Sequence, residues 1–329
     1  MIWENAMGDR PIISVVFSFR NEEANLEELL DRVEAVFDGI NITHELIFVN
    51  DASTDRSLEI LRARRVAKPT HIKVINLSRR FGIGPSVVAG MEYSTGEAVI
   101  YMDSDLQDPP ELIPTLIEAW KEGHDVVHTT RTKRLGESRT KMWITNLAYG
   151  IIDIFSDIRV PKNTGDFKLL SRRAVEEILK VKEVDPFIRG LSLWVGYRQA
   201  FIPYERQSRH KGKTHYSLFR SINPYAEFVR GITAFSSVPL YLALFIGFVV
   251  SLGAFSYLGL IVIQRLIFDI HLPGWPALMV TLLFIGGCIL FTIGVLGIYI
   301  GKIYNEIKGR PQYIVASTLG DFKIDREKD

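Results

Sequence analysis

Short apolar runs alternate with amphipathic helical patterns along the first half of the chain. Apolar runs of strand length occur at 12–18, 45–50, 72–77 and 98–102. Between the first two runs, the apolar positions of 26–37 recur at helical spacing. Strands that alternate with helices are typical of βαβ units, so the pattern predicts a three-layer α/β fold with a mostly parallel sheet. Such sheets bind ligands at the carboxyl ends of their strands.

Small polar residues follow several of these runs and are candidates for helix caps. We expect Asn21 to cap the helix after the first strand and Ser53 or Thr54 to cap the helix after the second. After the fourth strand, Asp108 is expected to cap a helix that has Pro109 at its first position.

The pattern changes in the last third of the chain. No charged residue occurs at 238–263 or at 277–300, and each run exceeds the roughly 20 residues that span a bilayer core. The short linker between the runs predicts a transmembrane hairpin. Basic residues on both sides of the hairpin predict that the large domain and both termini are cytosolic.

The same pattern divides the chain into four parts. We expect a cytosolic domain, amphipathic helices on the bilayer surface, two transmembrane helices and a polar cytosolic tail, at 1–217, 218–237, 238–301 and 302–329 respectively. The alternative for the second part is a plain packing helix of the soluble domain. The tail is expected to be mobile or to pack on a neighbouring subunit.

Composition excludes several classes of function. The formal net charge of +1 gives no electrostatic support for nucleic-acid binding. The single cysteine, Cys288, rules out a disulfide framework and a cysteine-based metal site. Glycines recur along the second apolar run and permit close helix contacts, so we expect a homo-oligomer. The number of subunits stays open, and a tetramer is one alternative.

The most informative motif follows the fourth strand. Asp103 and Asp105 are one residue apart and can converge on one divalent cation, for which oxygen ligands favour Mg²⁺ or Mn²⁺. Such a metal would stabilise the charge on a departing diphosphate. The alternative is helix capping, but Asp108 serves that need and leaves the first two carboxylates unexplained. Gln107 either assists the site or is structural.

Polar residues also follow the first two strands. Asp51 is a candidate to accept hydrogen bonds from a nucleobase or ribose, and Asp55 to support the loop or the helix start. Glu22 could reach the nucleoside and Arg20 a phosphate. The alternative for each motif is an ordinary strand-to-helix turn.

In their order and spacing, four motifs resemble those of family-2 inverting glycosyltransferases with the GT-A fold. The resemblance is to the dolichol-phosphate mannose synthase branch, and within it to the bacterial bactoprenol glucosyltransferases. It covers nearly the whole chain. The motifs are Asn21-Glu22, Asn-Asp-Ala-Ser-Thr-Asp at 50–55, Leu-Ser-Arg-Arg-Phe-Gly at 77–82 and Asp-Ser-Asp-Leu-Gln-Asp-Pro-Pro-Glu at 103–111.

This resemblance implies a reaction. The enzyme would transfer glucose from UDP-glucose, with inversion, to undecaprenyl phosphate at the cytosolic face of the inner (plasma) membrane. GDP-mannose and UDP-N-acetylglucosamine stay open as donors. Asp51 would contact the base, and Asp103 and Asp105 would hold the metal and the donor diphosphate, with Gln107 nearby.

The resemblance also implies roles for basic and acidic residues further along. Residues expected to bind substrate, chiefly its phosphates, are Arg79, Arg131, Arg134, Lys168, Arg206, Arg209, Lys211 and Lys213. For the basic segments, the alternatives are solvation or attraction to lipid headgroups. Asp157 and Asp166 are open as general base, although a lipid phosphate already carries negative charge and needs none.

Three rival functions can be weighed on the sequence. A processive polysaccharide synthase would add a Gln-x-x-Arg-Trp motif and further spans, and neither is present. A non-enzymatic membrane scaffold would lose the paired carboxylates, yet Asp103 and Asp105 are both there. A nucleotidyltransferase would have a glycine-rich basic loop after the first strand, where this chain has Arg20-Asn21-Glu22-Glu23.

Overall fold

The computed structural model describes residues 11–67, 71–132, 164–205, 238–268 and 274–322. The strands are β1 (Ile13–Phe19), β2 (His44–Asn50), β3 (Ile72–Leu77), β4 (Ala98–Asp103), β5 (Val126–Arg131), β6 (Thr164–Ser171), β7 (Gln199–Tyr204) and β8 (Val315–Leu319). The helices are α1 (Leu26–Ile40), α2 (Ser57–Ala67), α3 (Ile83–Glu92), α4 (Ile113–Lys121), α5 (Arg172–Lys180), α6 (Ile188–Trp194), α7 (Val238–Phe268) and α8 (Trp275–Ile307).

The described strands form one sheet in the order β7-β5-β6-β4-β1-β2-β3-β8. Strands β3, β2, β1 and β4 run parallel, and β7 is parallel to β5. Strand β6 is antiparallel to both of its neighbours, and β8 is antiparallel to β3. The expectation of an α/β fold with a mostly parallel sheet is therefore confirmed.

Helices cover the sheet with the faces that the periodicity indicates. The apolar stripe of α1 is buried at Leu26, Leu29, Leu30, Val33 and Phe37. On the other face, α3 lies very close to β1 and β2. A Cβ added at Gly90 would lie 2.2 Å from Cγ1 of Val16, so only glycine allows this approach.

The helices begin later than the capping residues suggest. Helix α1 begins at Leu26, and the Asn21 side chain instead accepts a hydrogen bond from the Thr54 amide at 2.8 Å. Helix α2 begins at Ser57, whose amide donates to Asp55 Oδ1 at 3.1 Å. The expected caps at Asn21 and at Ser53 or Thr54 were wrong, because these side chains join neighbouring loops. The expected support from Asp55 is confirmed.

The helical turn after β4 also differs. It begins at Pro110, one residue later than expected, and continues into α4. The Asp108 carboxylate accepts a hydrogen bond from the Tyr204 hydroxyl, which lies on β7. The expected cap is therefore replaced by a contact across the fold.

Helices α7 and α8 form a separate apolar hairpin. They are 31 and 33 residues long, and both contain stretches long and apolar enough to cross a membrane, at Pro239–Tyr257 and Leu278–Ile307. Almost none of the residues in these stretches is buried against protein, unlike those of a soluble core helix. Helix α8 continues to Ile307, past the expected boundary at 301; the expected boundaries at 217 and 237 lie outside the described residues.

The end of the chain adds a strand that the sequence analysis did not foresee. Val315–Leu319 pairs with β3 and becomes the edge of the sheet. Part of the expected tail at 302–329 therefore belongs to the α/β domain.

Candidate active site

Three strand ends bring the acidic motifs to one edge of the sheet. In the register, Phe19 at the end of β1 lies beside Asn50 of β2, and Ser18 lies beside Asp103 of β4. The loops that follow these parallel strands therefore start side by side. They carry Glu22, Asp51 and Asp105, which the sequence places 29 or more residues apart.

Each of these three loops contains a non-glycine residue in the left-handed region. The φ angles are 56° at Asn21, 55° at Ala52 and 59° at Leu106. This conformation costs about 1–2 kcal/mol for a residue such as leucine. The Leu106 side chain is buried in the core, which holds the turn in place. Strained backbone at one edge is typical of a functional site.

Four carboxylates gather at the β4 end of this edge. Burial raises the pKa of Asp103 to about 7. The neighbouring negative charges act in the same direction, in decreasing order Asp166, Asp108 and Asp105. The Tyr101 hydroxyl donates a hydrogen bond to Asp103 Oδ1 at 2.9 Å, which offsets only part of this effect. The cluster therefore favours the arrival of a cation.

The chemistry of this cluster fits a divalent cation that shares its ligands with a substrate. Within the described ranges, no three Asp, Glu, His or Cys side chains form a complete metal cage. A Mg²⁺ or Mn²⁺ ion at a phosphate site needs only one or two carboxylates, because phosphate and water complete its shell. Asp103 and Asp105 meet that requirement. The Gln107 amide donates to Asp105 Oδ1 at 3.1 Å, so Gln107 orients this carboxylate through its backbone.

Two cations on the neighbouring elements balance part of the negative charge. Arg189 of α6 binds Asp166 through two hydrogen bonds, Nε to Oδ1 at 3.2 Å and Nη2 to Oδ2 at 2.5 Å. Burial alone would raise the pKa of Asp166, but the Arg189 charge holds it at about 2. Lys168 is fully buried and donates to Ser192 Oγ at 3.0 Å, and burial lowers its pKa to about 8.

These contacts bear on two expected roles. A carboxylate with a pKa of about 2 is a weak proton acceptor, so the ion pair with Arg189 favours a fixed negative charge at Asp166. A fully buried Lys168 acts on the site through its charge. The catalytic role of Asp166 and the substrate contact of Lys168 stay predictions. Sequence reasoning missed Arg189, although it is the only charged residue of the apolar helix Ile188–Trp194.

A second network joins the β5–β7 edge to the acidic loop. Arg131 Nε donates to the Tyr204 hydroxyl oxygen at 3.3 Å, and that hydroxyl donates to Asp108. Burial raises the pKa of Tyr204 above its ordinary value, and the Asp108 charge adds to this effect. Tyr204 was missed because no motif contains it. Arg131 thus lies near the acidic loop, and its contact with a substrate phosphate stays a prediction.

Asp51 connects the second motif to the third. Its Oδ1 accepts from the Phe81 amide at 2.6 Å and its Oδ2 from the Gly82 amide at 3.1 Å. Arg79 lies over the Phe81 ring, with its guanidinium carbon 3.9 Å from the ring centre. Asp51 therefore fixes the conformation of the 78–82 loop through two of its backbone amides. The expected contacts of Asp51 and Arg79 with substrate stay predictions.

The β1 loop contributes two charged residues. Glu22 Oε2 accepts from Asn25 Nδ2 at 2.7 Å, and the Glu22 amide donates to Ser57 Oγ at 3.0 Å. Arg20 has one guanidinium nitrogen, Nη1, that is buried and meets no hydrogen-bond acceptor within the described part of the chain. An incoming anion would satisfy that donor.

Six expected site residues lie outside the described residues. They are Arg134, Asp157, Arg206, Arg209, Lys211 and Lys213.

The α/β domain has a GT-A type fold, with the acidic loop at the end of β4. The chain belongs to glycosyl transferase family 2, whose profile matches residues 14–179.

Its relatives match over nearly their whole length. The uncharacterized glycosyltransferase YkcC of Bacillus subtilis is 42% identical over 93% of this chain and 94% of its own. The prophage bactoprenol glucosyl transferase homolog of Escherichia coli is 37% identical over 92% of this chain and 98% of its own. The resemblance read from the motifs is therefore confirmed.

Among solved structures, glucosyl-3-phosphoglycerate synthase of Mycobacterium tuberculosis, in complex with Mn²⁺, UDP-glucose and phosphoglyceric acid, is 22% identical. It has a TM-score of 0.44 and covers 68% of this chain and 78% of that chain. The superposition is too loose for residues of the two sites to be equated.

Proposed function

We propose that this protein transfers a sugar from a nucleotide donor to the phosphate of a polyisoprenyl lipid. The acidic loop carries the proposal, since it places Asp105 beside Asp103 at the carboxyl end of β4, where neighbouring carboxylates raise the pKa of Asp103. Relatives named bactoprenol glucosyl transferases, 37% identical over most of the chain, support the lipid acceptor.

Asp103 and Asp105 would hold the metal, Mg²⁺ or Mn²⁺. A bound divalent cation supplies charge neutralisation on the diphosphate as it departs. Around it, Tyr101 and the Gln107 backbone keep the two carboxylates oriented. Orientation before the reaction is what an electrostatic catalyst needs.

The donor would lie over the ends of β1 and β2. Glu22 and Asp51 lie in the loops that follow these paired strands, and we expect one nucleoside to contact both. Arg20, whose buried Nη1 meets no acceptor among the described residues, is suited to a diphosphate oxygen. We propose UDP-glucose as the donor: the names of the relatives support glucose, and the family resemblance implies UDP. GDP-mannose and UDP-N-acetylglucosamine are alternatives with the same chemistry.

The acceptor would attack without help from a protein base. A lipid phosphate is already negatively charged near neutral pH, and Asp166 is held in its ion pair with Arg189. The phosphate oxygen would displace the diphosphate from the opposite face of the sugar and invert the anomeric carbon. Catalysis then consists of alignment and charge stabilisation. The basic residues Arg131 and Arg134, with those at 206–213, would guide the acceptor.

The lipid acceptor places the protein at a membrane. Helices α7 and α8 would span the bilayer of the inner (plasma) membrane as a hairpin, because their lengths of 31 and 33 residues exceed what one crossing needs. The α/β domain and both termini would then be cytosolic. A homo-oligomer, with a tetramer as one form, is part of the same proposal.

Mass spectrometry of lipid products tests this function. The full-length protein in detergent receives undecaprenyl phosphate, Mg²⁺ or Mn²⁺, and one of UDP-glucose, UDP-N-acetylglucosamine or GDP-mannose. We expect one new lipid that carries a single sugar, formed with one donor. No product with any donor, from a folded protein, would contradict the proposal and favour a non-enzymatic scaffold.

A further inference from the structure

The end of the chain is attached to the sheet along its length. We define the tail segment as residues 311–322, which include β8. The Ile314 carbonyl accepts from the Ser78 amide at 2.9 Å, where β3 ends. At the other end, Phe322 packs edge-on against Tyr93 with 5.3 Å between ring centres. Lys73 Nζ lies 5.4 Å from the Phe322 ring centre.

Two side chains fix the start of the tail segment. Gln312 Nε2 donates to the Glu183 carbonyl, and the Tyr313 hydroxyl donates to the Glu92 carboxylate at the end of α3. Burial raises the pKa of Tyr313 well above its ordinary value, and the bond to Glu92 adds to this effect. The segment is therefore a built part of the domain, held at both ends.

A row of polar side chains runs from the tail segment into the site. Ser317 Oγ accepts from Asn76 Nδ2 at 3.1 Å, and Asn76 Oδ1 accepts from Asn50 Nδ2 at 3.1 Å. Asn50 Oδ1 then accepts from the Ser53 amide at 2.9 Å. We call Ser317, Asn76 and Asn50 the amide relay. The two asparagines are buried, so loss of a partner is costly for them.

The relay ends in the loop that carries Asp51. Ser53 Oγ accepts from the Asn21 amide at 3.1 Å, so the relay also reaches the β1 loop. Asp51 in turn holds the 78–82 loop through two backbone amides. The tail segment meets the start of that loop at Ser78. The 51–54 loop, which carries residues next to the proposed nucleoside contact Asp51, is therefore linked to the tail segment through the relay, and the 78–82 loop, which carries Arg79, contacts it directly.

We propose that Ser317 is a positioning residue for donor binding, and that the tail segment holds the 51–54 and 78–82 loops in the shape that receives the nucleotide. This inference rests on the proposed function for the identity of the ligand.

Kinetics of two neighbouring variants test the proposal. Ser317→Ala removes the end of the relay, and Thr318→Ala changes the next residue, whose side chain lies on the opposite face of β8. With UDP-glucose as the donor, we expect Ser317→Ala to raise the donor KM about 3- to 10-fold, the effect of one lost hydrogen bond. Its kcat and lipid KM should stay within about twofold of the wild type, since the relay touches neither the acidic loop nor the acceptor.

Two further outcomes belong to the same kinetic test. Ser317→Thr keeps the hydroxyl and should restore the donor KM. Equal donor KM values for Ser317→Ala and Thr318→Ala would overturn the proposal, as would a loss in Ser317→Ala confined to kcat.

Hydrogen exchange without ligand separates this inference from the proposed function. In the full-length protein, amides of 51–54 and 78–82 should exchange faster in Ser317→Ala and at the wild-type rate in Thr318→Ala. If the wild type forms no product with any donor, the proposed function fails, and the exchange rates alone then decide the relay. Unchanged exchange in Ser317→Ala overturns the relay whether or not the enzyme is active.

Discussion

The carboxylate of Asp166 faces the guanidinium of Arg189, and both oxygens of the former accept hydrogen bonds from the latter. The pair lies beside Asp103, whose pKa Asp166 raises. A family resemblance leaves Asp166 open as a general base, whereas this ion pair favours the role of a fixed charge. Three predictions follow from the charges around Asp103.

The first concerns stability against acid. Arg189 holds the pKa of Asp166 at about 2, below its ordinary value of 3.8, so the pair stabilises the fold above about pH 4. That stabilisation is lost as the pH falls from about 4 through about 2. Arg189→Gln should lack this stabilisation at every pH, which lowers the free energy of unfolding by about 2 kcal/mol near neutrality. On acidification, its free energy of unfolding should therefore fall less than that of the wild type. Unfolding in denaturant between pH 7 and pH 2.5 measures the difference.

The control for this variant is Lys180→Gln, which breaks an exposed ion pair with Glu177. Its stability should match the wild type within about 0.5 kcal/mol, because exposed pairs contribute little. Parallel acid curves for the wild type and Arg189→Gln would contradict the assignment.

The second prediction concerns the pH dependence of activity. If Asp166 is not the base, Asp166→Asn lowers kcat through the lost charge and keeps the acid limb of the pH–rate profile, shifted to lower pH because the pKa of Asp103 falls without the Asp166 charge. A general base would instead contribute the acid limb of the profile. Loss of an acid limb in Asp166→Asn would restore Asp166 to the role of base.

The third prediction concerns the paired carboxylates. Asp105→Asn should lower kcat by about 10²–10³, the usual cost of losing one stabilising group at a developing charge. It should also weaken the binding of Mn²⁺ in the presence of UDP, measured by calorimetry. The matched control is Glu111→Gln in the same motif, because Glu111 pairs with Arg32 at 2.7 Å on the surface. Equal activities of Asp105→Asn and Glu111→Gln would contradict a metal site in this loop.

The close approach of α3 to the sheet gives a fourth prediction. Gly90→Ala would place a Cβ 2.2 Å from Val16, so it should destabilise the fold by about 1–3 kcal/mol. Gly39→Ala in α1 meets nothing within 4 Å and should stabilise the fold by about 0.5–1 kcal/mol. Thermal unfolding of both variants measures whether each substitution raises or lowers stability. A Gly90→Ala variant as stable as the wild type would contradict the packing of α3.

The sequence predicts the parts of this structure that short-range patterns determine. The β3 boundaries at Ile72 and Leu77 follow from an apolar run, and the position of Asp103 at the end of a strand follows, within one residue, from the same pattern. A short-range pattern does not predict contacts between residues that are far apart in the sequence. Ser317 bonds to Asn76 across 241 residues, and nothing in the composition of β8 marks it as an edge strand of this sheet.

Polar loop residues show the same limit. Asn21 and Asp108 have the chemistry of helix caps, yet their side chains bind Thr54 and Tyr204 instead. A side chain that can cap a helix can equally join two loops, and only the packed fold decides between these uses. The acidic motif was found because helix capping left its two carboxylates at the end of a buried strand unexplained, whereas a lone arginine such as Arg189 carries no such signal.

The central claim is that the lipid phosphate attacks the donor sugar directly in one displacement. The most direct test is the anomeric configuration of the lipid-linked glucose formed from UDP-glucose, in which the sugar is α-linked, determined by NMR on purified product. Direct attack predicts the β-linked product alone. An α-linked product would mean retention, and would contradict the one-step mechanism.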